Sequence, residues 1–313
     1  MSASTKCCTA ATLPAGTVII SSRNRPRLLY DTVSSILKGD ALPAELVIVD
    51  QSDSANSKLA EIVEYSGCHV RYLWSQTRGL SRGRNLGIMT ASHEVIICLD
   101  DDMLVAENWY RTLVHALVNA GSDAVVTGQV LPGAAETAGG FAPALATSAK
   151  PAVYKGRLNT DVLAGGHMAT YRPVLNYVGG FDERLGAGAA FPAADDNDLG
   201  FRILDSGYRI IYVPEAIVIH RAWRNAKDYA GIRWNYGLGK GGFYAKHFSL
   251  RDPHMLVRLV KDIGRRLWWF PARVRGDRRL LVGDPLYITG VLVGAARWCA
   301  VERPGRAQSS PLC

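Results

Sequence analysis

EVIICLDDDM, residues 94–103, carries four apolar residues, Val95 to Cys98, through Leu99 into three consecutive aspartates. The apolar run has the length and composition of a buried strand. Ending it on Asp100, Asp101 and Asp102 is costly, because like charges repel and a buried carboxylate needs a partner or a cation. The surrounding sequence indicates why a strand would end this way. TVIISS (17–22), ELVIVD (45–50), HVRYLW (69–74) and DAVVTGQVL (123–131) read as further strands, and helices are expected at 27–38, 54–67, 80–91 and 107–121. Such alternation predicts a three-layer α/β/α domain with a mostly parallel sheet. Ligands of these sheets gather beyond the carboxyl ends of the strands. Ser21–Arg23, Asp50 and Asp100–Asp102 all fall at that edge.

The 313 residues suffice for one large domain, or one domain with an appendage. With 48% hydrophobic and 20% charged residues the chain is globular rather than disordered. Its formal net charge of +8 points to an anionic partner. That charge is uneven: Arg251 to Leu280 holds nine Lys/Arg against three Asp. No zinc-finger spacing or aromatic RNA-binding motif is present, so nucleic acid is not an expected partner. Six cysteines (7, 8, 68, 98, 299 and 313) show no metal-type spacing, which favours a reducing cytoplasm. No apolar signal core precedes Pro14, and residues 1–15 are expected to be a flexible N-terminus. The late apolar run, Pro285 to Ala296, falls short of the roughly 20 residues a bilayer needs, so no spanning helix is expected.

Residues 132–152 read as a poorly ordered connection. The second half stays mixed α/β, with a helix opening at AADDNDLGFRILD and a strand over RIIYVPEAIVIH (209–220). The segment from 246 to 313 is different, a basic amphipathic helical region. HMLVRLVKDIGRRLWWF (254–270) places Leu256, Leu259, Val260, Ile263 and Leu267 on one helical face and His254, Arg258, Lys261 and Arg265 on the other. Two readings fit: a helix lying on an anionic membrane, or one packed on the domain with a solvated basic face.

Two acidic clusters, DDD at 100–102 and DDND at 195–198, are followed by His220 at a later strand end. This arrangement resembles the family 2 inverting glycosyltransferases of the GT-A fold. The first cluster looks like their DxD motif. DDNDLGFR (195–202) looks like their EDxDLxxR motif, with Asp195 in place of the usual Glu. RGLSRGRNLGIMTA (78–91) is similar to the nucleotide-side segment, and GGHMATYRPVLNYVGGFDERLG (165–186) to the acceptor-side one. The resemblance spans roughly residues 16–245 and implies a Rossmann-like GT-A domain there, with the C-terminal helices appended.

The resemblance also implies roles. A nucleotide sugar leaves its diphosphate behind, and a divalent cation, Mn²⁺ or Mg²⁺, on hard ligands neutralises the developing charge. Asp102 is then the primary metal ligand, Asp100 a ribose or metal contact, and His220 a further metal ligand or diphosphate contact. A carboxylate must take the proton of the attacking hydroxyl. Asp196 matches that position, helped to stay ionised by its helix N-terminus, and Asp195 is the alternative. Ser21, Arg23 and Asp50 resemble the base-binding wall, and Arg84 and Asn85 further base or diphosphate contacts, with Gly83 and Gly87 allowing close backbone approach. Gly165–Gly166 before His167 reads as a floor near the donor sugar. YGLGKGG (236–242) lacks the P-loop pattern and reads as a mobile cover, with Lys240 near diphosphate.

The expected partners are a UDP-, GDP- or dTDP-sugar, a glycan or lipid-linked acceptor, and an anionic membrane surface on the cytoplasmic side. Two other classes compete. A sugar-phosphate nucleotidyltransferase shares the acid–metal logic but normally carries a glycine-rich N-terminal phosphate loop, and ISSRNRPRLL has no glycine. A non-catalytic glycan binder or scaffold needs no base, whereas both acid clusters are retained.

Overall fold

The computed structural model describes residues 13–56, 67–136, 140–221 and 223–301. Four strands, β1 (Gly16–Ser22), β2 (Glu45–Asp50), β3 (His69–Trp74) and β4 (Val95–Asp100), match the expected ones closely. They pair in the order β3-β2-β1-β4, all parallel. The short β5 (Met103–Val105) follows, then β6 (Ala124–Pro132), β7 (Ala152–Tyr154), β8 (His167–Tyr171) and β9 (Arg209–His220). β8 lies antiparallel between β4 and β6, while β6 pairs parallel with β9. The sheet is therefore parallel in its first half and mixed in its second.

Alternation along the strands explains the layers. Val18, Ile20, Leu46, Ile48, Ile97 and Leu99 share one core with α1 (Pro26–Leu37) and α3 (Trp109–Ala120). Their neighbours Ile19, Val47, Val49, Ile96 and Cys98 share another with α2 (Leu80–Thr90), α4 (Arg172–Val178) and α5 (Asp195–Asp205). α2 tolerates two glycines because both face β1. A Cβ on Gly83 would overlap Ser21, and one on Gly87 would overlap Ile19. These glycines thus serve helix–sheet packing, not approach to a nucleotide. The helix expected at 54–67 falls mostly on residues outside those described. The 132–152 connection does acquire structure: β7 pairs with β9, and Val130 bridges Ala146.

Among the described residues four α-helices follow: α6 (Tyr229–Lys246), α7 (His254–Trp268), α8 (Phe270–Gly276) and α9 (Leu280–Val301). The YGLGKGG stretch is not a loop but the middle of α6. Its glycines make a groove for α9: a Cβ on Gly237 or Gly241 would strike the α9 backbone at Tyr287 or Val291, and one on Gly294 would strike Leu238. Glycines four apart on both helices allow this backbone-to-backbone approach.

The expectation of no membrane-length helix is overturned on length and composition. α9 has 22 residues and a mean hydropathy of 1.3. It runs through Pro285, and the charge that seemed to limit the apolar run, Asp284, is buried against Arg233, Arg266 and Arg273. Ion-paired near its start and packed through Trp298 on Phe191 near its end, α9 lies along the body of the protein.

Candidate active site

The strand-end aspartates are separated by their partners. Asp101 is buried, accepts from Ser22 Oγ at 2.6 Å and from Arg25 Nη1 at 3.1 Å, and is pushed up to about 6 by burial. It anchors β4 to the start of α1. Asp102 meets Arg25 Nη1 at 3.1 Å and His220 Nε2 at 3.2 Å. Burial opposes its charge, but the His220 bond and the neighbouring cations win and hold it below the usual carboxylate range. The same bond outweighs burial at His220 and raises that imidazole. Asp100 turns elsewhere, to Arg84 Nη2 at 2.5 Å. The triple acid is thus tolerable through Arg25, Arg84 and His220.

Arg84 joins the two acidic clusters. Its Nη1 donates to Asp195 Oδ2 at 2.7 Å while Nη2 holds Asp100. The guanidinium is buried, stacks over Phe181 and is raised by both carboxylates against its burial. It is neither a surface charge nor free to contact a base. Gly165 and Gly166 make the joint possible. A Cβ on Gly166 would overlap the Asp100 carboxylate, and one on Gly165 would lie 2.9 Å from Asp196 Cβ. This pair is a floor, as expected, but a floor between the two acids. His167 beside it points into the core, where it accepts from Trp109 Nε1 at 2.8 Å; burial lowers it to about 3, so it is neutral.

The second cluster divides its labour. Asp195 is tied to Arg84. Asp198 is fully buried and meets Arg202, Lys246 and His247, each at 2.7 Å. Asp196 has no ion pair among the described residues and accepts only the Asn197 backbone N–H, at 2.8 Å. Burial, then the fields of Asp195 and Asp161, push it up to about 7. The helix N-terminus does not hold it ionised as expected; desolvation outweighs the helix dipole. A carboxyl poised near neutrality is suited to proton transfer.

A cavity of about 370 Å³ opens on Asp196, lined also by Asp161, Asn197, Leu145, Ala146 and Tyr212. Below it Lys240 pairs with Asp161 at 2.5 Å and donates to Asn197 Oδ1 at 3.0 Å, and Arg258 pairs with Asp161 too. Lys240 therefore belongs to this buried network. From α6, Tyr236 is felt by both Asp196 and Asp102, which, after burial, raise its phenol. Arg25, Asp161, Asn197 and Tyr236 were not singled out in the sequence. Arg25 lies one residue before α1 and near the strand end, a signal that could have been read; the other three are placed by distant segments.

A second cavity, about 470 Å³, is lined by Ser22, Asn24, Asp50, Ser52 and Asn56. Asp50 is buried there, accepting from Tyr72 Oη at 2.6 Å and the Ser52 N–H at 2.9 Å. Arg23 donates to Asp53 at 3.2 Å, at the exposed rim. Ser21 is buried under Gly83. Asn85 is clamped to the 181–183 loop, donating to Phe181 O at 2.8 Å and accepting its N–H at 2.9 Å. It holds that loop and not a nucleotide.

Among the described residues, no three of His, Cys, Asp and Glu gather closely enough to hold a cation alone. Asp102 and His220 nevertheless fit one as a pair. They present hard oxygen and imidazole donors at a strand edge, and His220 Nδ1 is buried without a partner. Two protein donors suit a cation whose other ligands are phosphate oxygens and water. Asp100, held by Arg84, stands apart from that pair.

Comparison with known proteins accords with this architecture. The solved mannosyltransferase PcManGT of Pyrobaculum calidifontis, in complex with GDP-Man and Mn²⁺, superposes with a TM-score of 0.60 at 16% identity, covering 93% of this chain and 89% of that one. GalNAc-T7 with UDP, GalNAc and Mn²⁺ gives 0.54 at 21% identity, over 78% of this chain and 52% of that one. These likenesses establish the GT-A fold. In sequence, the pre-mycofactocin glycosyltransferase of Mycobacterium tuberculosis (strain ATCC 25618 / H37Rv) is 23% identical over 300 residues, 91% of this chain but 58% of that protein. Glycosyltransferase GlyG of Streptococcus pneumoniae serotype 4 is 28% identical over 111 residues, 35% of this chain and 37% of that protein. The chain thus spans little more than half of the longer relative. The glycosyl transferase family 2 profile matches residues 17–175, from β1 through the acid-bearing β4 to α4. By that match, over half of the chain and on this fold, the chain belongs to glycosyl transferase family 2.

Proposed function

We propose that this protein is an inverting glycosyltransferase that moves a sugar from a nucleoside-diphosphate donor to an acceptor hydroxyl. The observation that carries the reading is the Asp100–Arg84–Asp195 bridge across the Gly165–Gly166 floor, which leaves Asp196 unpaired at the wall of a cavity. The nucleoside lies in the cavity beside Asp50, and the diphosphate beyond β4. Asp196 takes the acceptor proton as the hydroxyl oxygen bonds to the anomeric carbon. The bond from that carbon to the diphosphate oxygen breaks on the opposite face, and configuration inverts. Asp195, fixed by Arg84, holds the first turn of α5 in place. A divalent cation held by Asp102 and His220 would supply charge neutralisation to the departing diphosphate. The Mn²⁺ in the PcManGT and GalNAc-T7 complexes supports a cation here, and their UDP or GDP-Man supports a nucleotide-sugar donor. Free Cys68, Cys98 and Cys299 support a reducing, cytoplasmic location.

The test is a panel of UDP-, GDP- and dTDP-sugars with Mn²⁺, read by release of nucleoside diphosphate. One donor should be turned over by wild type, and Asp196→Asn should bind it without turnover. Full turnover by Asp196→Asn would remove Asp196 as the base. Pyrophosphate release from a sugar phosphate and a nucleoside triphosphate would replace the reading with nucleotidyl transfer.

A further inference from the structure

α7 leaves much of its apolar side outside. Its inward side is mixed: Met255, Leu259 and Ile263 pack on the domain, but beside them Arg258 pairs with Asp161, while Asp262 accepts from Tyr244 and Tyr287 and pairs with Arg266. The remaining apolar residues face water. Val260 and Leu267 are 61% and 60% exposed, and Leu256 is also exposed. Trp268 at the end of the helix is 80% exposed, with Trp269 exposed beside it. α7 thus packs only part of its apolar side on the domain and leaves Leu256, Val260 and Leu267 outward. Basic side chains stand on the helix and on the segments either side of it. Arg251, Lys261, Arg265, Arg275 and Arg278 are exposed and make no ion pair among the described residues, whereas Arg258, Arg266, Arg273 and Arg279 are paired.

We propose that the outer face of α7, with Trp268 and Trp269, docks on an anionic lipid bilayer. The apolar stripe enters the acyl boundary, the tryptophans take the interfacial level, and the unpaired cations meet lipid phosphates. A soluble acidic protein would match the charge but would leave the apolar stripe without an apolar partner. The inward side of the same helix reaches the catalytic cavity: Arg258 holds Asp161, whose second partner, Lys240, bonds Asn197 next to Asp196. Docking thus brings the domain that carries the Asp196 cavity to the bilayer surface. On the reading of Asp196 as base, the acceptor hydroxyl belongs to a membrane-borne molecule. The docking itself does not depend on that reading.

The experiment is co-sedimentation of the full chain, without donor or metal, with phosphatidylglycerol-rich and with pure phosphatidylcholine vesicles. The protein should partition onto the anionic vesicles and be released by salt. Trp268→Ser/Trp269→Ser should lose partition on the order of tenfold, and Lys261→Glu/Arg265→Glu by a similar factor. Tyr177→Ser, at an aromatic equally open to water but outside this surface, should leave it unchanged. Absent partition, equal partition onto both vesicle types, or undiminished partition of the well-folded variants would overturn the proposal. So would a tryptophan variant that turns a dimer into a monomer in light scattering, since the face would then bind a second copy.

Discussion

Replacing Asp196 by Asn tests the proposed chemistry through both rate and stability. In the wild type, burial and the fields of Asp195 and Asp161 place this carboxyl at about 7. Only its ionised form can accept a proton, so kcat/KM should rise with pH through about 7, and one unit below that value roughly a tenth of the plateau should remain. Asp196→Asn should cost on the order of 10²–10⁴ in rate with donor affinity kept. Stability moves the other way. The folded carboxyl binds its proton more tightly than the unfolded one, so ionising it subtracts stability as pH rises from about 4 to about 7. At about 1.36 kcal/mol per pH unit, those three units amount to roughly 4 kcal/mol. The Asn variant should therefore be the more stable protein above neutrality, by up to about that amount, with the difference vanishing near pH 4. The assays are nucleoside-diphosphate release in mixed buffers and urea unfolding across the same pH range. A flat rate profile, or an Asn variant no more stable than wild type at alkaline pH, would refute the reasoning.

Arg84→Met should destabilise the protein by about 3–5 kcal/mol in urea unfolding, because the buried Asp195 and the half-buried Asp100 would lose their shared counter-charge; a loss below about 1 kcal/mol would mean the bridge is dispensable. His220→Ala and Asp102→Asn should each weaken Mn²⁺ binding, measured by calorimetry, by at least about tenfold, while Asn85→Ala, a loop clamp, should not. Gly241→Ala should cost about 1–3 kcal/mol, seen as a lowered Tm, since its Cβ meets the α9 backbone at Val291.

Much of this was legible before folding. β2 and β9 have the boundaries read from their sequences, and the acids fall at strand and helix ends as expected. The spacing of Asp198 to Arg202 reads as a pair within the helix, and the two do pair; which of Asp195 and Asp196 is the base could not be fixed in sequence, since acids are ordinary in a first helical turn. What separates those two is contributed from afar: Arg84 comes from α2 to Asp195, while Asp196 has no counter-ion among the described residues; Asp198 gains Lys246 and His247 from the end of α6. Gly83 and Gly87 read as room for a ligand, yet their neighbours are Ser21 and Ile19, which only strand–helix docking brings near.

By itself the sequence determined the alternating elements, the parallel first half of the sheet and the family. Those follow from short-range periodicity and from polar residues that strand ends must carry. The tertiary structure alone decided that Arg84 is a buried bridge, that α6 and α9 interlock through glycines, and that α7 keeps Leu256, Val260 and Leu267 of its apolar stripe outward. An amphipathic pattern states that one face of a helix avoids water; it does not state which apolar phase will receive it. At α7 the inward side is shared: Met255, Leu259 and Ile263 pack on the domain, while Arg258 meets Asp161 and Arg266 meets the buried Asp284, which requires a counter-charge.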